Sequence, residues 1–146
     1  MWNDREDEPC DTIGTETASG YREAQFKFTV ASLLQGDPQA EGADVVMARP
    51  DNSGLGPCVT ARAAIIINDA QADVAVDIHA DGGPVDGRGF TVLGPVADGP
   101  HNAVIPLSAA FAAIMRDTLL ADTGMPLSSY DGVDGLQPVT TWPDSI

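Results

Sequence analysis

Base is what this sequence has least of. Lysine and arginine together number 7 against 22 aspartates and glutamates, a formal net charge of −15 over 146 residues, and Lys27 is the single lysine. Without a basic patch there is nothing to neutralise phosphates, which argues against a nucleic-acid partner and against an anionic membrane surface. The acidity itself reads as a solubility device. No run of 18 apolar residues is present, so no transmembrane helix is expected. The opening MWNDREDEPC has no apolar stretch of the kind a signal peptide needs. Cysteine is scarce too. Cys10 and Cys58 lack the close second cysteine of a zinc knuckle, which leaves a disulfide or two independent thiols. A bridge would close a loop of about 48 residues, worth on the order of 4 kcal/mol, and would persist only in an oxidising compartment.

What is present suits one domain. Apolar residues make up 43% of the chain, enough at this length for a single core. Residues 1–20 read as polar loop. Apolar positions at helical spacing (Phe26, Val30, Leu33, Leu34) predict a helix over about 21–34, capped by Ser19 and broken by GDPQAEG. ADVVMA (43–48) reads as a buried strand and RPDNSGLGP (49–57) as a loop. A second helix is expected over about 59–69. The alternating ADVAVDIHA (72–80) reads as a strand, DGGPVDG as a turn and RGFTVLG (88–94) as another strand. LSAAFAAIMRDTLLA (107–121) reads as a third helix. This order predicts an α/β fold with a mostly parallel sheet flanked by helices.

Chemistry gathers beyond the carboxyl ends of strands in such a sheet, and His79, one of only two histidines, ends the 72–80 run. A neutral imidazole there suits a metal or proton transfer; the plain alternative is a packed histidine with both ring nitrogens satisfied. Asp77 shares its face, and Asp81 follows in the turn; either could orient the ring, with Asp81 read as a solvated turn residue. Arg88 reads as a surface group. Glu23 falls in the first helical turn, where the helix dipole already favours an acid.

Taken in order, GYREAQFKFTVASLL, VVMARPDN, LGPCVTARAAIIINDAQADVAVDIHADGG and GRGF resemble the zinc-dependent N-acetylmuramoyl-L-alanine amidases of the amidase-3 type, most closely their secreted mycobacterial and actinobacterial branch. The resemblance covers about residues 10–136, leaving 137–146 as an atypical tail of a single amidase-like domain, 1–146. It implies that Glu23 and His79 are zinc ligands, that Arg49 and Asp51 match a TR-x-x-D segment, and that Arg62 and Asn68 match an R-x-x-x-A-N helix. It also implies a Cys10–Cys58 disulfide, a secreted or cell-wall location and no membrane insertion. The implied reaction is zinc-dependent hydrolysis of the amide between N-acetylmuramic acid and L-alanine, with peptidoglycan fragments (muramoyl peptides) as partners.

The chain also departs from the pattern. The family's D-P-G-H motif would lie upstream of Cys10, where no histidine stands, and no E-x-G-N motif follows before Ile146. The resemblance therefore implies an incomplete amidase-3 fold, shortened at both ends, with the catalytic residue unknown. His101, in the loop ADGPHNAV, is the possible substitute ligand, set against an ordinary exposed loop histidine. Asp131, Asp134 and Asp144 fall in turn or tail contexts. Three readings follow: an amidase, an inactive remnant or cell-wall-binding module, and an acidic α/β interaction module. Removal of strands would leave apolar sheet edges uncovered, so a marginally stable or self-associating chain is expected.

Overall fold

A computed structural model describes residues 14–54, 56–66, 70–82, 88–95 and 102–128. The chain divides into two compact units, Met1–Gly82 and Gly83–Ile146.

In the first unit, α1 spans Glu23–Ala40. A tight loop sets its start. Glu16 pairs antiparallel with Arg22, and Arg22 Nε donates to Glu16 Oε2 at 3.2 Å. Thr17 exchanges backbone hydrogen bonds with Gly20 and Tyr21, and Thr17 Oγ1 accepts from the Tyr21 amide. The residue at the helix cap is Arg22, which makes no side-chain cap, while Ser19 Oγ bonds Thr17 Oγ1 instead. The expected Ser19 cap is thus replaced by a hairpin-like turn that satisfies the first helical amides another way: Glu23 N–H donates to Thr15 O at 2.9 Å.

The helix also runs further than GDPQAEG suggests. Pro38 lies inside it, removing one N–H from the ladder, yet the stop comes at Gly42. There φ is +92°, Gly42 N–H reaches Gln39 O and Ala43 N–H reaches Pro38 O, the paired bonds of a Schellman end. A left-handed residue ends the helix more decisively than one missing donor in its last turn.

The short helix α2, Val59–Ala64, begins at Cys58, whose carbonyl accepts from Arg62 N–H at 2.9 Å. It widens to i→i+5 bonding at 65–66, where Ile65 O accepts from Ala70 N–H. Asn68 lies outside the described residues. Gln71, with φ +48°, turns the chain into the 72–80 segment.

In the second unit, α3 spans Ile105–Thr123 after a 3-10 turn at Asn102–Val104. Pro106 sits in its first turn, where no helical donor is lost, and Gly124 closes it in the left-handed conformation at φ +63°. Both ends lie two residues beyond the predicted 107–121. Phe90 forms a parallel bridge with Leu127, with Ser128 N–H donating to Phe90 O at 2.9 Å. Gly89 makes this approach possible. Its φ is +137°, and a Cβ there would stand 2.6 Å from Ser128 N and 2.7 Å from Pro126 O.

Sheet is where the expectation and the molecule differ most. Among the described residues the segments 43–48, 72–80 and 88–94 form no strand ladder; the pairing consists of two isolated bridges. Val46, Val74 and Val76 are more than half exposed. Alternation specifies which face of an extended segment is apolar, but a strand exists only when a neighbour supplies hydrogen bonds along its edge. Burial is correspondingly thin. Glu23 and Ser128 are the buried polar residues, and no large side chain is fully buried among the described residues.

The helical stretch Asn102–Thr123, 22 residues, is long and apolar enough to cross a membrane by length and composition alone. Arg116, Asp117 and Asp122 interrupt it, so it is not an unbroken apolar run.

Candidate metal centre

The first unit's most organised feature is built around one carboxylate. Glu23 is 9% exposed, and the loop and the 72–82 segment hold it from both sides. Its Oε2 accepts from the Thr15 amide at 3.0 Å; its Oε1 accepts from the Ala80 amide at 3.2 Å and faces His79 Nδ1 at 3.2 Å. Thr15 Oγ1 donates to Ala80 O, tying the two segments together. Gly14 is part of the same cradle. Its φ is +72°, which favours glycine, and a Cβ on it would come within 2.5 Å of Glu23 Oε2, so a larger residue would displace the carboxylate.

The electrostatics follow from these contacts. Burial pushes the Glu23 carboxyl up, but the Thr15 and Ala80 amides, with the charges of Lys27 and His79, outweigh it and hold the group below its ordinary value. Burial likewise raises Asp77, yet its bond to His79 and the His79, Lys27 and Arg62 charges carry it down to about 2. His79 is pushed up, chiefly by its hydrogen bond to Asp77 and against desolvation. The ring lies between two carboxylates: Nε2 is 3.3 Å from Asp77 Oδ2.

Glu23, His79 and Asp81 each place a donor atom within 4.8 Å of the others, a set that could hold a metal ion. Two of these residues, Glu23 and His79, were legible beforehand. Asp81, read as a solvated turn acid, joins them, while Asp77 Oδ2 faces the other ring nitrogen of His79 at 3.3 Å. Thr15, Gly14 and Lys27 escaped the reading. A signal existed for one of them: Lys27 is four residues after Glu23 on a helix, the spacing at which opposite charges meet.

The other expected residues fall elsewhere. Arg49 anchors the 49–54 loop to α1, donating to Ala24 O at 2.9 Å and to Asn52 Oδ1 at 3.2 Å, with its guanidinium 5.5 Å from the Phe28 ring centre. Asp51 accepts from Ser53 N–H at 2.7 Å; the Ser53 bonds hold its carboxyl below the ordinary range. Arg62 pairs with Asp77. Arg88 is exposed beside the Phe90 bridge. Cys58 is not a free thiol. Cys10, His101, Asp131, Asp134 and Asp144 lie outside the described residues.

A glutamate at the start of a helix, facing a histidine that closes an extended DIHA segment, is the pattern the amidase resemblance implied. The N-acetylmuramoyl-L-alanine amidase family profile (Amidase_3) matches residues 6–133. The chain belongs to this family.

Its relatives agree. The chain is 39% identical over 133 residues to the N-acetylmuramoyl-L-alanine amidase Rv3717 of Mycobacterium tuberculosis, a match that covers 87% of this chain and 52% of that protein. It superposes on the crystal structure of the N-acetylmuramyl-L-alanine amidase Ami1 from Mycobacterium smegmatis with a TM-score of 0.76 and 39% identity, covering 88% of this chain and 58% of that one. The apo form of Ami1 from Mycobacterium abscessus matches with a TM-score of 0.77 and 36% identity, over 90% of this chain and 60% of that one. The chain thus spans a little over half the length of these relatives.

Proposed function

We propose that this chain is a zinc-dependent peptidoglycan amidase domain that cleaves the amide between N-acetylmuramic acid and L-alanine, with Glu23 and His79 as metal ligands and Asp81 as a third donor. One observation carries the reading. Two ligands of a tetrahedral zinc, each at about 2.0–2.1 Å, stand about 3.3 Å apart, and Glu23 Oε1 and His79 Nδ1 are separated by 3.2 Å. An oxygen–nitrogen–oxygen donor set with a nearly buried carboxylate fits a divalent cation, and it sits on the helix start and DIHA segment where the family resemblance locates the ligands.

A zinc held there would supply Lewis acidity toward the amide carbonyl and an activated water. The chain's own residues prepare the site. The Thr15 and Ala80 amides keep Glu23 ionised and aimed, so its charge is available without rearrangement. His79 must shed a proton to ligate, which makes loading weaker in acid. His101, outside the described residues, is not needed as a substitute once Asp81 is counted. The family profile runs through both compact units, which supports 1–146 as one amidase-like domain. Because Cys58 is not a free thiol and the chain has two cysteines, a Cys10–Cys58 bridge belongs to the same reading, as do a secreted or cell-wall setting, muramoyl peptides as partners and no membrane insertion.

The test is zinc stoichiometry on the purified chain after chelation and reloading, beside His79→Ala, followed by release of free L-alanyl peptide from a muramoyl peptide. One zinc per chain, lost in the variant, with hydrolysis, is expected. Failure of the wild-type chain to hold zinc overturns the metal reading. Zinc and muramoyl-peptide binding without hydrolysis makes the domain a cell-wall-binding module instead.

A further inference from the structure

We infer that Lys27 and Arg62 form a carboxylate-binding subsite beside the metal centre, and that it takes a free acid group of the peptide substrate. The inference rests on the amidase reading for the identity of that peptide; the subsite itself stands on the geometry of the two cations.

Base is scarce in this chain, yet two of its cations, from different helices, converge on one point. Lys27 Nζ of α1 lies 3.7 Å from Asp77 Oδ1, and Arg62 Nη1 of α2 lies 3.7 Å from Asp77 Oδ2. Both distances are longer than an N–H···O hydrogen bond, about 2.7–3.2 Å. Asp77 therefore offsets charge without receiving a hydrogen bond from either cation, and neither side chain donates one elsewhere among the described residues.

The other described arginines are settled differently. Arg22 donates to Glu16 at 3.2 Å, Arg49 to Ala24 O at 2.9 Å and Arg116 to Asp117 at 2.8 Å, while Arg88 stands exposed to water. Lys27 and Arg62 have neither arrangement in full, since their side chains are only 24% and 27% exposed. A cation withdrawn from water needs a hydrogen-bonding acceptor, and two of them against one aspartate leave a local excess of positive charge. Glu23, whose charge also reaches Lys27, gives its oxygens to the Thr15 and Ala80 amides instead.

What the pair lacks is a negatively charged acceptor, and its place says which one. Asp77 Oδ2 is 3.3 Å from His79 Nε2, so the two cations stand against the candidate metal centre. A peptide joined to N-acetylmuramic acid through its first amine keeps its own carboxyl groups free, and in a short peptide one of them lies within a few bonds of the amide to be cut. A chain of net charge −15 repels such a substrate except at a patch of this kind, so the pair supplies orientation as well as affinity.

The experiment compares two ligands on the full chain without metal, so that no carboxylate is read through zinc and nothing is hydrolysed. One is a short N-acetylmuramoyl-L-alanyl peptide with free carboxyl groups; the other is the same compound with every carboxyl amidated. Calorimetry should give the acid form an affinity about 10-fold above the amide in wild type, falling to near parity in Lys27→Gln and in Arg62→Gln. Lys27→Arg and Arg62→Lys keep the charge and should keep the preference. Thermal melts establish which variants are folded, and either Gln variant alone suffices, because the ratio of two ligands on one protein is insensitive to a general loss of stability. No preference in wild type, or a preference kept in a folded Gln variant, overturns the inference. Inorganic phosphate that binds more tightly than the acid peptide, and is lost in the same variants, reassigns the pair to phosphate and overturns it too. Acetyl-L-alanyl peptides, acid and amide, separate this inference from the amidase reading. An acid preference that survives there, while the zinc-loaded chain leaves the muramoyl peptide intact, keeps the subsite and fails the amidase reading; cleavage without any acid preference does the reverse.

Discussion

The two units of this chain rest on different physics. In Met1–Gly82 the best-ordered feature is polar: a nearly buried Glu23 held by two amides, and an Asp77 that gathers Lys27, Arg62 and His79. In Gly83–Ile146 it is a backbone approach, Gly89 against 126–128, beside a long apolar helix whose Leu107 and Ile114 are 77% and 63% exposed. Charged groups need directed partners to be buried at all, so the first unit specifies a site. Apolar surface needs only area, so the second specifies a helix without specifying what it packs on.

That contrast can be broken at its strongest points. Gly89→Ala should have the largest effect. A Cβ there meets three backbone atoms within 2.7 Å at a φ of +137°, and both the clash and the conformational strain run to about 1–3 kcal/mol. Chemical denaturation should show the loss, while zinc affinity stays near wild type if the site depends on the first unit alone. Gly14→Ala is its mirror. The left-handed strain costs on the order of 1–2 kcal/mol, but the Cβ meets the end of a movable Glu23 side chain, so calorimetric zinc affinity should fall further than stability does. Equal losses from both glycines in both measurements would erase the distinction between the units.

A smaller effect sharpens the picture of the 49–54 loop. The Asp51 carboxyl is held below its ordinary 3.8 by Ser53. Its contribution is therefore present above pH 3.8 and lost as pH falls through the lower folded value. Amide exchange at Ser53 should quicken over that acid range and not at neutral pH; Asp51→Asn should remove the pH dependence. Smallest in stability is Leu107→Gln combined with Ile114→Gln. Exposed positions usually move stability by no more than about 0.5 kcal/mol, but light scattering should show less self-association. A clean wild-type monomer with a sharp cooperative melt would remove the premise.

How much of this was legible beforehand varies by residue. The helices were, because periodicity at positions such as Phe26 and Val30 reports a local geometry. Their ends were not: Pro38 looked like a stop and Gly42 was the stop, since a Schellman end depends on bonds across six residues. Glu23 and His79 were legible through the family resemblance. Asp81, Thr15 and Gly14 were not, because a turn acid, a loop threonine and a loop glycine carry no spacing signal until the 72–82 segment is laid against the start of α1. The expected sheet shows the same limit from the other side. Alternation in 72–80 is real, and the hydrogen-bonding neighbours that would make it a strand are not a property of that segment.

The sequence by itself determined three things here: an acidic chain with almost no lysine, helices at α1 and α3, and membership of an amidase family through an ordered set of short motifs. Each is local or cumulative along the chain. Tertiary structure alone decided that Asp81 faces Glu23 and His79, that Asp77 receives cations from two helices, and that Gly14 lies against the Glu23 carboxylate. Those are contacts between residues as many as 56 or more positions apart, and a distance of that kind exists only after folding has closed the loop between them.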